Sequence, residues 1–465
     1  MKNIRRLQIV SVLSIILTII VVSCKEVVTY DLAITDVQVF DAYTGEVNTD
    51  KTILISGDEI AAIIDKNDGF KTRETIEGKG RLVSPGFIDT HIHFGDLYGD
   101  YDEAPEYLVS DSVELYQQKL SDTFLKYGTT TVAVMGQPEK WLEETIHWQK
   151  NAKADMPNVL VTGGAIISDE ERPPYGGHVE VMNPEDARKL VRKYHEKGVK
   201  HIKLYWRLRL PEMEAAVDEA QTLGLNIFGH IDFNLVGIPA VMDLGVKHFE
   251  HVMTVSNDAF GMSQYYGQLN NLMEEHYPGI EAYFPYLLEQ MQMVEDTPEL
   301  RDKRDGLIQN MIEKEATLST TIHLFGTVVK RTFFNSYITN YYADQNPDLN
   351  EAQLERLNKA FDTFMAYIKA AHDQGLKLRI GTDCKEGGQA ALSEMLLLSE
   401  AGFPMSDILR IATLNGAEAL QIDADSGSIT AGKKADLILF KNNPFENSKA
   451  LLDEKTVIKS GKVYN

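Results

Sequence analysis

The stretch "FIDTHIHFGD" at residues 87–96 ends an apolar run with two imidazoles two positions apart. In an extended segment alternate side chains share a face, so His91 and His93 point the same way and would offer two nitrogen donors to one cation. Two histidines hydrogen-bonded inside a core show the same spacing, so the rest of the chain has to decide between these readings. Other polar residues end apolar runs in the same manner: Lys203 in "HIKLYW", His230 in "LNIFGHID", His251 in "VKHFEHVM" and Asp383 in "LKLRIGTDC". Alternation supports an inward position for two of these sets. His201, Lys203 and Tyr205 share a face opposite Ile202 and Leu204, and Asp89, His91 and His93 oppose Ile88 and Ile92.

The elements that must position these residues follow a recurring unit. A helical period closes at a glycine and an apolar strand follows at once, at Gly128, Gly198, Gly224, Gly245 and Gly375. In one unit Asn183 is a candidate N-cap, Pro184 suits the first helical position, and Ala187, Leu190, Val191 and Tyr194 fall on one face before Gly198. Helices alternating with apolar strands predict parallel β/α units. With "GFIDTHIH" first, "NVLVTGGAI" third and "ATLSTTIHLF" seventh, the count reaches eight strands, which predicts an α/β fold of the TIM-type (β/α)8 barrel over residues 84–422. An open doubly wound sheet is the rival, but no Gly-rich phosphate fingerprint follows an early strand. Residues from about 254 to 315 and from about 327 to 374 exceed simple connections and predict helical insertions over the barrel mouth. Residues 24–83 and 423–465 read as short alternating strands, and the two chain ends together predict a small β-sandwich.

In a barrel of this kind the chemistry gathers at the C-terminal ends of the strands, where the six polar residues fall. Each taken alone has an ordinary structural explanation: a core histidine, a snorkelling lysine for Lys203, a loop cap for Asp383. Their joint occurrence at matching ends of separate strands favours a site.

The formal charge of −23 repels phosphate backbones and anionic lipid headgroups, so nucleic acid is not an expected partner. The N-terminus pairs a basic start (Lys2, Arg5, Arg6) with an apolar stretch from Leu7 to Val22, which suits a secretion signal over residues 1–23. The following "VVSC" resembles the lipobox of bacterial lipoproteins. That resemblance implies lipidation of Cys24 and an exported protein, membrane-anchored on the periplasmic or cell-surface side; an uncleaved anchor helix is the alternative. After cleavage Cys384 is the only cysteine besides Cys24, so no disulfide scaffold is expected.

The chain as a whole resembles the amidohydrolase superfamily. The resemblance is carried by "LVSPGFIDTHIH", the paired chain ends, "GTD" on the last strand and the tail "ILRIATLNGAEALQIDADSGSITAGKKADLILF". By position it implies that His91, His93 and Asp383 bind one divalent metal, that His230 and His251 bind a second, and that Lys203, carboxylated on its amine, bridges them. Zinc suits such imidazole and carboxylate donors, with manganese, cobalt or iron as alternatives. The implied reaction is hydrolysis by a metal-bridging hydroxide, with Asp383 passing the water proton to the leaving group. Deaminases of the superfamily generally use one metal without a bridging lysine, so Lys203 favours cleavage of an amide, cyclic amide or small peptide. The arginine that follows HxH in dihydroorotases is replaced here by Phe94, Gly95 and Asp96. The stretch "KLYWRLRLPEMEAAVDEAQTLGLNIFGHI" is similar to the imidazolonepropionase-like and dipeptidase-like branches.

His178, in the glycine-rich turn "YGGHVEV", Tyr205 and His323, on the seventh strand, are candidate contacts to a small-molecule or small-peptide substrate. Cys384 reads as a packed thiol without a nucleophilic role. An esterase, lactonase or phosphotriesterase on the same site, and a non-catalytic binding lipoprotein on the same barrel, are the alternatives. The resemblance also allows a homo-oligomer.

Overall fold

The computed structural model describes residues 28–98, 113–169, 177–232, 235–261, 263–280, 282–334 and 347–464. The amino-terminal apolar segment and Cys24 lie outside the described residues. Among those described, no helix is long and apolar enough to cross a membrane.

The described residues open with β1 (Thr29–Phe40), β2 (Val47–Ser56), β3 (Glu59–Asp65) and β4 (Lys71–Pro85). Asp41 starts the turn between β1 and β2, its carboxylate accepting the backbone N–H groups of Tyr43 and Thr44 at 2.8 and 3.2 Å. Among the described residues ten shorter strands follow: β5 (Phe87–Ile92), β6 (Thr129–Val134), β7 (Asn158–Val161), β8 (Ala165–Ser168), β9 (His178–Val181), β10 (His201–Tyr205), β11 (Asn226–His230), β12 (His248–Phe249), β13 (Thr317–Ser319) and β14 (Lys377–Arg379). Finally β15 (Leu437–Phe440), β16 (Lys455–Lys459) and β17 (Lys462–Tyr464) return to the first group. They join it in one sheet of order β17-β16-β15-β4-β1-β2-β3, so both chain ends build it, as expected. Hydrogen bonding runs through a single continuous sheet, whose last strand β3 bridges back to Lys434 around an apolar core of its own that includes Ile34, Ile55, Ile60, Leu437 and Ile458.

Strands β5 to β14 run parallel in two ladders, β5-β6-β7 and β14-β13-β12-β11-β10-β8-β9. This is consistent with the expected barrel, although the ladders do not form one closed ring. Backbone hydrogen bonds from Thr90 N–H to Ile380 O and from Asp383 N–H to His91 O, both 2.9 Å, tie the first strand to the residues after the last. The expected third strand is split at Thr162–Gly164. Gly163 takes φ +77°, where a Cβ would stand 2.7 Å from the Tyr194 ring, and the Tyr194 hydroxyl accepts Gly164 N–H at 3.0 Å. The helix before β10 therefore drives an aromatic wedge against the strand and breaks its ladder. That helix, Pro184–Lys197, has the expected Asn183 cap, whose side chain accepts Asp186 N–H, and closes at Gly198 with φ +99°.

The first expected insertion holds the helices Met253–Phe260, Tyr266–His276, Tyr283–Asp296 and Pro298–Glu313, and the described part of the second holds Glu351–Asp373. An aromatic chain joins them, with Phe284 and Phe325 ring centroids 5.2 Å apart and Phe325 and Phe364 5.0 Å apart. The Tyr367 hydroxyl donates to Val252 O at 2.6 Å and so pins the second insertion to the segment just after β12.

Glu394, on the helix Gly388–Glu400, is buried beneath the turn after β13. Its carboxyl accepts Ile322 N–H at 2.7 Å and His323 N–H at 3.1 Å and bonds the Thr320 hydroxyl. Burial pushes it from its ordinary 4.5 up to about 8 against the pull of those donors. The protonated form is favoured by folding, so its contribution to stability is complete below pH 4.5 and lost as pH rises through about 8. Calorimetric melts should show Tm falling across that window, and Glu394→Gln, which keeps an acceptor for the two N–H groups, should flatten that part of the profile. A profile unchanged by the substitution would rule the assignment out.

Candidate metal centre

His91, on β5, is fully buried and its Nδ1 lies 2.7 Å from the Glu250 carboxylate. A carboxylate can only accept, so Nδ1 carries the proton and Nε2 keeps its lone pair. The same logic fixes two further imidazoles. His93 Nδ1 lies 3.4 Å from Gly136 O, a carbonyl that can only accept. His251 Nδ1 lies 2.8 Å from the Thr321 hydroxyl, whose own hydrogen is given to Gly381 O at 2.8 Å, so Thr321 accepts from the ring.

All three Nε2 atoms therefore turn lone pairs toward Asp383. Its carboxylate lies 3.3 Å from His93 Nε2, 3.8 Å from His91 Nε2 and 3.7 Å from His251 Nε2. His91 Nε2 and His93 Nε2 stand 3.1 Å apart. Two acceptors at that distance repel unless a proton or cation sits between them. Burial opposes the proton, holding His91, His230 and His251 well below the usual imidazole range and His93 at about 4, with the Lys203 charge adding to the effect in each. The donor set fits a shared cation, and the three atoms of His91, His93 and Asp383 lie within 4.8 Å of one another. His230, at the end of β11, packs edge-on against His251 with ring centroids 4.5 Å apart.

Lys203 projects from β10 into the same space. Among the described residues its Nζ is buried without a hydrogen-bond partner, and the nearest carboxylate oxygen is Glu250 Oε1 at 3.8 Å. Burial lowers the amine to about 8, with Glu250 and Asp383 pulling the other way. The Lys203 charge thus acts on all four imidazoles of the cluster.

Beneath the cluster lies a buried ion pair that sequence reasoning missed. Arg379 donates to Glu250 Oε1 at 3.1 Å and Oε2 at 3.4 Å, to Phe249 O at 2.9 Å, to Thr90 Oγ1 at 2.6 Å and to Thr317 Oγ1 at 3.2 Å. Burial opposes the Glu250 charge, but Arg379, Lys203 and His91 together hold its carboxyl well below the usual range. Asp89, also missed as a partner, accepts the Thr382 hydroxyl at 2.6 Å and the N–H groups of Thr382 and His91, both at 3.1 Å. A charged residue inside an apolar run, as in "LKLRIGTD", was the available signal.

The remaining candidates divide. Tyr205 stands between His178 and His230, with ring centroids at 4.5 and 4.9 Å. His178 opens strand β9, paired with β8, and does not sit in the glycine-rich turn expected for it, because "HVEV" completes a ladder with residues 165–168. His323 is not on the seventh strand: β13 ends at Ser319, Thr321 takes φ +49°, and His323 begins the helix His323–Val328, buried with Cys384 and Glu386. Tyr283, at the start of an insertion helix, faces the site without having been singled out. Although the residue is 44% exposed, desolvation at its hydroxyl end raises that group, and Asp232, Tyr205 and Asp383 add to the effect.

Compared with known proteins, residues 82–464 match the model of the amidohydrolase family. The chain belongs to that family. An adenine deaminase of Klebsiella pneumoniae (strain 342) is 25% identical over 88% of this chain and 53% of its own length. An imidazolonepropionase of Brevibacillus brevis is 31% identical over 20% of this chain and 23% of its own. The chain thus spans about half the length of the first of these curated relatives, and less of the second. Among solved structures, a prolidase complexed with N-methylphosphonate-L-proline aligns over 93% of this chain and 99% of its own with TM-score 0.64 and 17% identity. The A. niger ochratoxinase aligns over 94% and 96% with TM-score 0.63 and 19% identity. At those identities the likeness is one of fold. This amidohydrolase is a member of a typically metal-dependent hydrolase family, with histidine and aspartate groups suited to a cation.

Arg379→Met would strand the Glu250 charge in the interior of the amidohydrolase. Breaking a buried pair from one side costs about 3–5 kcal/mol. Urea unfolding should show a loss of that size, and a loss below about 1 kcal/mol would mean that Lys203 and His91 balance Glu250 without Arg379.

Proposed function

We propose that this amidohydrolase is a binuclear enzyme that hydrolyses the C–N bond of an amide, cyclic amide or small peptide. His91, His93, His230, His251 and Asp383 would hold two divalent cations, zinc by donor chemistry, with Lys203 carboxylated as the bridge. The observation that carries this reading is the orphaned Lys203 amine among lone-pair donors. An ammonium between two cations would be expelled, whereas a neutral amine can add carbon dioxide and become a two-oxygen anionic ligand. Burial that lowers the amine to about 8 makes its neutral form accessible near neutrality.

Bound there, the cations would acidify a water and polarise the substrate carbonyl. Asp383, partly open to solvent, would take the water proton and give it to the departing nitrogen. Glu250, Gly136 and Thr321 keep the histidine Nε2 lone pairs turned inward. His178, Tyr205 and Tyr283 line the approach as substrate contacts. His323 is withdrawn from that role by its position. The names of the relatives cover deaminases as well as a prolidase, and the buried lysine favours amide or peptide cleavage over removal of an exocyclic amine. Export and lipid attachment at Cys24 complete the proposal on the strength of the N-terminal sequence alone.

Metal-replete protein should hydrolyse members of a panel of dipeptides, N-acyl amino acids and cyclic amides, and lose that activity to chelators. Bound cations contribute several kcal/mol to such transition states, so Lys203→Ala should cost more than about a hundredfold in rate and release metal, with partial rescue by short carboxylic acids. Full metal content surviving in Lys203→Ala would sink the bridge; turnover of adenine, or of esters alone, would reassign the reaction. Separately, Cys24→Ser should move the protein from the membrane fraction to the soluble one, and a variant that stays with the membrane would exclude lipid anchoring through Cys24.

A further inference from the structure

We infer that His323, Cys384 and Glu386 form an additional metal site, separate from the histidine cluster, that takes a thiophilic divalent cation of the zinc class. One ligand atom from each residue lies within 4.8 Å of the other two, and none of the three belongs to the His91, His93 and Asp383 group. The donors come from two places that the fold brings together: His323 starts the helix after β13, while Cys384 and Glu386 lie on the turn before the helix Gly388–Glu400. His323 is fully buried and Cys384 is 5% exposed, so this is no chance meeting of mobile surface side chains. Glu386 is half-buried and leaves the trio an edge open to solvent.

The donor chemistry selects the ion. A sulfur and an imidazole nitrogen disfavour magnesium and calcium, which take oxygen ligands. Zinc accepts thiolate, imidazole and carboxylate together, and three protein ligands leave one tetrahedral position for water. Binding would release the thiol proton, and the carboxyl proton where present, to solvent, so that two anionic ligands balance a dipositive ion without any redox step. The site would also act on the candidate metal centre. Asp383 sits next to Cys384 with φ +50°, a left-handed conformation unusual for a residue with a side chain, and its N–H is tied to His91 O at 2.9 Å. A cation gripping Cys384 and His323 would lock the turn that aims the Asp383 carboxylate, making it a positioning site.

The test uses the full chain with Cys24→Ser, which leaves Cys384 as the single thiol. Metal-stripped protein titrated with Co2+ should develop a near-ultraviolet sulfur-to-cobalt charge-transfer band whose final intensity is that of one thiolate per chain, with Cys384 becoming protected from a disulfide reagent. The band should vanish in Cys384→Ala and weaken in His323→Ala. Zinc-edge X-ray absorption of the unmodified zinc protein, which needs no substitution, should show a sulfur neighbour at about 2.3 Å. Saturation with cobalt without that band, a band that survives Cys384→Ala, or zinc ringed only by nitrogen and oxygen would overturn the inference. Because the histidine cluster contains no sulfur, these readouts are independent of whether the proposed hydrolysis occurs.

Discussion

The arrangement of the candidate centre depends on one buried ion pair. Glu250 and Arg379 face each other with no solvent contact, and the guanidinium also spans Thr90, Phe249 and Thr317. Three strands, β5, β12 and β13, are thereby held at fixed separation by one planar cation. The same carboxylate orients His91 through Nδ1 and supplies the nearest negative charge to the Lys203 amine. An interior charge is costly to bury and is kept only with full pairing, so its presence under a cluster of neutral imidazoles makes sense as a device for orientation. Hydrophobic residues of equal volume would pack as well and orient nothing.

A second constraint is backbone conformation at the mouth. His251, Thr321 and Asp383 all take positive φ, at +65°, +49° and +50°. Each stands just beyond a strand, and each turns a side chain that strict alternation would send elsewhere. Glu250 and His251 are neighbours in sequence, so an ideal strand would point them to opposite faces, yet both contact the site. The left-handed turn at His251 resolves the conflict. Such conformations are disfavoured for residues with a Cβ and persist where surrounding bonds over-determine them, here Ser319 Oγ accepting His251 N–H at 2.8 Å and the Asp383 bond to His91 O.

These two constraints explain what could be read from the sequence. The recurring unit of a helix closed by glycine and then an apolar run made Lys203, His230, His251 and Asp383 legible, whereas His91 and His93 were legible at the end of the apolar run after the turn "SPG". Those glycines take φ from +69° to +111° at Gly128, Gly198, Gly224, Gly245 and Gly375. Glu250 was illegible because an acid beside a histidine in "HFEHVM" resembles a solvent-facing residue under alternation. His323 was misplaced for the matching reason: "ATLSTTIHLF" reads as one extended run, and only the left-handed turn at Thr321 and the bonds from Glu394 end it early. The split third strand needed Tyr194, which arrives from a helix distant in sequence to wedge against Gly163. Local pattern shows where strands end, whereas contacts between remote segments decide how they end.

The walls around the cluster follow from the insertions. Tyr283 enters at the start of one insertion helix and stands near Tyr205, Asp232 and Asp383, while Phe284 beside it joins the aromatic chain to Phe325 and Phe364. One residue therefore faces the site and its neighbour anchors the helix that carries it. On the other side the rings of His178, Tyr205 and His230 run in series from β9 toward the cluster. Aromatic walls lower the local dielectric, which strengthens every charge interaction inside and disfavours protonated imidazoles. The insertions thus supply the walls of the candidate centre, while the ion pair beneath holds the donor geometry.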